Sequence, residues 1–229
     1  MNGSSKYSNL STPLLTALVV LLLIIAAGST HAQTDRVRIV STEAGDRLQV
    51  NGRDFMVRGM NWDYIPIGEN YSYDFWNKPD DIIKAALENE MGLLKAMDVN
   101  VIRHYVGIPP RWVEYIYRTY GIYTVINHPL GRYGVTIDGT YIPTTDYSDP
   151  RTRATLKAEM MALVDEFRGV PGMLFWLLGN ENNYGLEWKS AETEALPEGE
   201  RQAAKARYLY SLMGEVVAML HEEDPDRLV

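Results

Sequence analysis

Four short clusters hold the residues able to do chemistry. They are Asn61-Trp62-Asp63-Tyr64, Arg103-His104-Tyr105, Asn127-His128, and Asn180-Glu181 followed by Asn182, Asn183 and Tyr184. Gathered at one place they would supply carboxylates for proton transfer, amides and imidazoles for hydrogen bonds to hydroxyls, and aromatic planes for stacking. Glu181 is the strongest single candidate. It follows the apolar run Met173–Leu178, where a carboxylate is costly unless it faces a cleft or is paired. A carboxyl beside aromatic rings can hold its proton to near-neutral pH and serve as a general acid. From spacing alone it could equally be a solvated loop acid or a partner at a helix start. Other chemistries lack their residues. There is no His-x-x-x-His and no acid pair with His for a metal, no Gly-x-Ser-x-Gly and no phosphate loop. With 0 Cys in the chain, disulfides, thiolate sites and a cysteine nucleophile are excluded. No metal and no cofactor is expected.

The elements that must position these clusters follow from periodicity and punctuation. Arg38–Val40 and Arg47–Val50 alternate around Ala44-Gly45-Asp46 and predict a hairpin. Asn51-Gly52 is a second tight turn, leading into a strand over Phe55–Asn61. Pro79-Asp80-Asp81 opens a helix, with acids at its positive end, and Ile83, Leu87, Leu94 and Met97 continue it at helical spacing. Val99–Val106 predicts a second strand, Pro109–Tyr120 a short helix closed by Gly121, and Ile122–Ile126 a third strand. Residues 130–148 predict a long loop. Asp149-Pro150 starts a helix to Phe167, Met173–Leu178 is a fourth strand, and a last helix runs from Gly199-Glu200 to His221.

Strand and helix thus alternate four times, and the strands are short apolar runs of the kind buried on both faces. That pattern predicts parallel α/β architecture. A doubly wound nucleotide-binding sheet would need a glycine-rich first turn, but here the turn reads Asn61-Trp62-Asp63-Tyr64-Ile65-Pro66. A (β/α)8 TIM barrel fits better, because all four strands end in polar and aromatic residues and barrel enzymes build their sites there. A full barrel has eight strands. The chain therefore predicts roughly the first four βα units, with residues 1–32 as a leader, 33–54 as an N-terminal β-hairpin, and 55–229 as the N-terminal half of a barrel.

These residues resemble a known group. Phe175-Trp176-Leu177-Leu178-Gly179-Asn180-Glu181 is similar to the Trp-x-x-Gly-Asn-Glu segment of glycoside hydrolase family 2, and more broadly to the Asn-Glu pair at the fourth strand of the retaining clan that also includes family 5. Val50–Asn61 resembles the entry to the first strand in these families, Asn100-Val101-Ile102-Arg103 their second strand, and His128 the histidine after the third strand in family 5. The resemblance covers residues 47–229. It implies a retaining hydrolase of β-linked glycans. Glu181 would be its general acid/base, and Asn180 would hydrogen-bond the sugar 2-hydroxyl. Arg103 would hold the nucleophile ionised, and His128, Trp62, Tyr105 and His104 would line the sugar subsite. The chain departs from the family pattern in four ways. Family 2 enzymes usually carry β-sandwich domains before the barrel, whereas here only a short stretch separates the expected signal from the barrel, more like family 5. The chain has Arg103-His104-Tyr105-Val106 where family 2 often has Arg-x-x-His-Tyr-Pro. It has Asn182 where family 5 often has Pro. The nucleophile, which these families place at the seventh strand, is expected beyond residue 229, so this fragment alone is expected to be inactive. A transglycosylase with the same intermediate, or a secreted carbohydrate-binding protein without catalysis, are the alternatives.

Composition fits such a role. Tyr (15) and Trp (5) outnumber Phe (4), and amphipathic rings suit a sugar cleft as well as a core. The net charge of −8 disfavours nucleic acid and anionic membranes, which reward clustered Lys and Arg. An oligo- or polysaccharide is the expected partner. Residues 1–13 are polar with one cation, Lys6. Leu14–Ala27 is apolar but shorter than the ~20 residues of a membrane span, and Thr30-His31-Ala32 follows. This is the layout of a secretory signal peptide cleaved after Ala32. It predicts a secreted or periplasmic protein with no membrane attachment after cleavage.

Overall fold

A computed structural model describes residues 35–105, 107–183 and 191–229. The expected export signal, Val106 and Tyr184 lie outside the described residues. Three sheets and five helices make up the described chain. An antiparallel meander comprises β1 (Val37–Thr42), β2 (Gly45–Val50) and β3 (Arg53–Asp54). Its second turn places Asn51 (φ 52°) and Gly52 (φ 75°) in the left-handed region, as an Asn-Gly hairpin turn requires. The central sheet has four parallel strands in sequence order: β4 (Gly59–Asn61), β5 (Val101–His104), β6 (Tyr123–His128) and β9 (Met173–Leu178). It is an open α/β sheet.

The helices form for readable reasons. In α1 (Asp80–Ala96) the acids Asp80 and Asp81 sit at the positive end and Lys95 in the last turn, and Ile83, Leu87, Met91 and Leu94 make the buried stripe. Gly121, left-handed at φ 69°, stops α2 (Pro110–Tyr120). Asp149 caps α3 (Pro150–Phe167) by accepting from the Arg151 backbone N–H at 2.8 Å. A four-residue α4 (Ala191–Glu194) precedes α5 (Glu198–Glu223). The main core lies between the sheet and the helices and includes Ile102, Ile126, Met173 and Trp176. A smaller core joins Val101, Tyr123, Val125 and Leu174 to Val37 and Val50, so the meander covers part of the sheet's other face.

Two expectations change, and one irregularity is new. The strand foreseen over Phe55–Asn61 is only Gly59–Asn61. The Asn100 side chain accepts from the Arg58 N–H (2.8 Å) and donates to the Met56 carbonyl (2.8 Å), doing for that stretch what a paired strand would do. All of β4 is exposed, as an edge strand of an open sheet is. The stretch 130–148 is not a plain loop. It contains the hairpin β7 (Val135–Ile137) and β8 (Thr140–Ile142), closed by Asp138 (φ 50°) and Gly139 (φ 76°). The third finding is a register shift of β6 against β9 between Thr124 and Ile126. Such irregularities re-aim the side chains that follow them, here at the ends of the two strands.

Candidate functional site

A cleft of about 870 Å³ opens where the parallel strands end. Strand β4 delivers Asp63 and Tyr64, β5 His104 and Tyr105, β6 Asn127, and β9 Asn180; the loop after β4 adds Tyr73 and Trp76. All four sequence clusters therefore contribute to one place. The link between the second and fourth strands is direct. Arg103 Nη2 donates to Asn180 Oδ1 at 2.9 Å, the Arg103 guanidinium lies 4.6 Å from the Tyr105 ring centre, and Asn180 Nδ2 donates to the Tyr133 hydroxyl at 3.1 Å.

The Gly179-Asn180-Glu181 turn is built by its own residues. Gly179 has φ 86°, and a β-carbon there would lie 2.2 Å from Asn182 Oδ1, so only glycine fits. Asn182 is buried. Its Oδ1 accepts from the Asn180 N–H at 2.8 Å, and its Nδ2 donates to the Pro129 and Leu130 carbonyls, both at 3.1 Å. The residue that departs from the family-5 pattern thus ties the end of β9 to the loop after β6. Glu181 follows in left-handed backbone, φ 55°, a conformation that costs a non-glycine residue about 1–2 kcal/mol and recurs at functional turns. Its side chain is exposed and not packed among the aromatic rings the sequence foresaw, and it is not among the residues lining the cleft.

Two other expected site residues sit elsewhere. Trp62 is buried in the core, its ring edge-on to Phe75 and Trp76 and its Nε1 donating to Glu90 of α1 at 3.4 Å. Trp76 takes the cleft position instead. His128 is also buried, with Nδ1 accepting from the Leu130 N–H at 3.1 Å and Nε2 3.7 Å from Glu159 of α3. Successive strand residues point to opposite faces; Asn127 meets the cleft and His128 meets the helix layer. The aromatic segment Tyr71-Ser72-Tyr73-Asp74-Phe75-Trp76 is the signal that sequence reasoning passed over. It supplies most of the cleft's rings.

Electrostatics single out Asp63 and His104. Burial raises the Asp63 carboxyl to about 6, against the lowering effects of the Arg103 charge and the Tyr105 N–H. Burial lowers His104 to about 4, and His128 likewise to about 4. Both imidazoles are therefore neutral at pH 7. His104 Nε2 lies 3.0 Å from Asp63 Oδ1 and 3.2 Å from Trp76 Nε1. With His104 neutral and its Nε2 accepting from the indole, the contact with Asp63 is a close approach and not an ion pair. One ring nitrogen cannot donate to the carboxylate and accept from the indole together, and the bond formed is the one from the indole. Behind the cleft lies a cavity of about 120 Å³ lined in part by His104, Asn127, Ile108 and Phe167. His104 Nδ1 and Asn127 Oδ1 are buried without a hydrogen-bond partner. Among the described residues no group of three or more His, Asp or Glu could hold a metal.

No family model matches the chain. It is 25% identical over 179 residues to the β-galactosidase of Lactococcus lactis subsp. lactis (strain IL1403), an alignment covering 76% of this chain and 16% of that protein. To the β-galactosidase of Klebsiella pneumoniae (strain 342) it is 26% identical over 141 residues, covering 60% of this chain and 12% of that one. This chain is similar to part of a β-glycosidase. Among solved structures, β-glucuronidase 3 of Bacteroides uniformis superposes with a TM-score of 0.53 at 18% identity, covering 83% of this chain and 20% of that one. At that identity the likeness is one of fold: the α/β sheet and its helices recur within a glycosidase. The chain spans less than a fifth of the length of these β-galactosidases.

Proposed function

We propose that the chain is the N-terminal part of the (β/α)8 barrel of a retaining β-glycosidase of the family-2 type, exported by its N-terminal signal and acting on β-linked oligo- or polysaccharides. The observation that carries this reading is the Arg103–Asn180 hydrogen bond of 2.9 Å at the strand ends of one cleft, beside the glycine-dependent turn that presents Glu181. Glu181 protonates the glycosidic oxygen and then activates water. Its exposure leaves it free to meet substrate. Asn180, oriented by Arg103 and Tyr133, hydrogen-bonds a sugar hydroxyl next to the scissile bond, a contact that strengthens in the transition state. Tyr73, Trp76 and Tyr105 give the sugar rings faces to lie on. Retention needs a second carboxyl about 5–5.5 Å from the first, and a strand outside this sequence contributes it. The relatives' greater length supports that division.

The test is Glu181→Gln in the protein as its full gene encodes it. General acid catalysis contributes about 10²–10⁴-fold, so turnover of aryl β-glycosides should fall by that much with an unchanged circular dichroism spectrum. Unaltered turnover would remove Glu181 from the mechanism. The anomer released first, read by proton NMR, reports retention. Added acceptor sugar separates hydrolysis from transfer.

A further inference from the structure

The glycosidase reading leaves the charge of the sugar open, and the β-galactosidases and β-glucuronidases similar to this chain act, by their names, on neutral and on anionic glycosides respectively. The cleft itself carries information on this point. Its charged lining residues, among those described, are two acids, Asp63 and Asp74, with no Lys or Arg. The cations close by are engaged. Arg103 donates to Asn180 and lies over Tyr105, and Arg132 lies over the Tyr133 ring at 5.2 Å. Among the described residues no Lys or Arg hydrogen-bonds Asp63, though the Arg103 charge acts on it, and His104, 3.0 Å away, is neutral at pH 7. The side chain keeps 36% of its surface exposed, and a carboxylate has about four acceptor sites, more than its protein contacts use. A neutral sugar offers hydroxyl donors to these sites. A uronic acid brings a second carboxylate, which can only accept and which repels the first.

We propose that Asp63, beside His104 at the cleft wall, is a specificity-determining residue that selects neutral glycosides over uronides. This deepens the glycosidase reading and rests on it. The groups facing Asp63 are Arg103, His104 and the Tyr105 N–H on and after β5, with Trp76 and Asp74 on the loop after β4.

The experiment compares kcat/KM of the full-length protein on 4-nitrophenyl β-galactoside, β-glucoside and β-mannoside with that on 4-nitrophenyl β-glucuronide at pH 7.5. The neutral substrates should be preferred. Asp63→Asn should shift the neutral-to-uronide ratio toward the uronide by on the order of tenfold, whereas general damage to the fold would lower both arms alike. If that variant does not fold, the wild-type ratio is read against pH and salt. It should fall as pH drops through about 6, where Asp63 takes up its proton, and as ionic strength rises. A wild-type preference for the glucuronide, or a ratio indifferent to Asp63→Asn, pH and salt, overturns the proposal while leaving the glycosidase reading intact. If no glycoside is cleaved, it is the glycosidase reading that fails. The same ratio is then taken from binding of neutral and uronic oligosaccharides, and tighter uronic binding overturns the selectivity as well.

Discussion

Gly179 and Asn182 hold the turn that carries Asn180 and Glu181, and each is open to a single substitution. Gly179→Ala puts a methyl where Asn182 Oδ1 stands, 2.2 Å away; activity should fall further than stability, because the turn can open at the surface but not keep its shape. Asn182→Ala leaves the Asn180 N–H without its acceptor and takes one of two donors from each of the Pro129 and Leu130 carbonyls, which keep the Arg132 N–H and the Tyr147 hydroxyl. It should cost about 1–3 kcal/mol, measured from urea midpoints. A cost near zero would show that the turn is held by something else. Asp63 and the two buried histidines act on acid stability with opposite sign. The folded Asp63 binds its proton at about 6, above the ordinary 3.8 of an aspartate, so its ionisation destabilises the fold at neutral pH and the penalty fades as pH falls through 6 toward 3.8. His104 and His128 fold neutral, lowered from 6.5 to about 4; their contribution is complete above 6.5 and is lost as pH falls from there to 4. Asp63→Asn should therefore raise the Tm most above pH 7, and His128→Gln should flatten the loss of Tm below pH 6.5. A melting profile parallel to wild type from pH 4 to 8 in either variant contradicts these assignments.

At the scale of elements, the β7–β8 hairpin makes the sharpest test. Gly139 has φ 76° with nothing near its missing β-carbon, whereas at Gly134 a β-carbon would sit 2.5 Å from the Ile142 carbonyl oxygen. Gly139→Ala should cost only the left-handed backbone penalty of about 1–2 kcal/mol. Gly134→Ala should cost more and should also lower activity, because the residue before it is Tyr133, which accepts from Asn180. Equal urea midpoints for the two would refute this account. The hairpin also shows what the sequence left illegible. Asp138-Gly139 is a strong turn signal, but it was lost among other glycines, prolines and threonines. The helices were legible because their ends are written locally, in Pro79-Asp80-Asp81, Gly121 and Asp149-Pro150. Within the site, the convergence of Arg103 and Asn180 was legible from strand ends alone. The burial of Trp62 and the outward turn of His128 were not, since the face a residue takes at a strand's end depends on the β6–β9 register and on the aromatic loop that packs over β4.

For the molecule as a whole, the meander β1–β3 is the cover on one face of the sheet. Val37 and Val50 pack on Val101, Tyr123, Val125 and Leu174. Removing residues 35–54 should bare those side chains, raise binding of a hydrophobic dye and drive self-association visible by light scattering. A monomeric, dye-silent truncation would mean the sheet does not need its cover.

The order of the central strands has a kinetic corollary. They lie side by side in the order in which a ribosome releases them. Each can dock on a neighbour already made, so most of the sheet is assembled from contacts of modest sequence separation, which favours rapid folding during synthesis. One bond runs against that trend. The Val37 N–H donates to the Asp226 carbonyl at 2.8 Å, joining the first strand to the segment after α5. That clasp must wait until the segment after α5 has emerged, and the cover over the sheet is locked only when it closes.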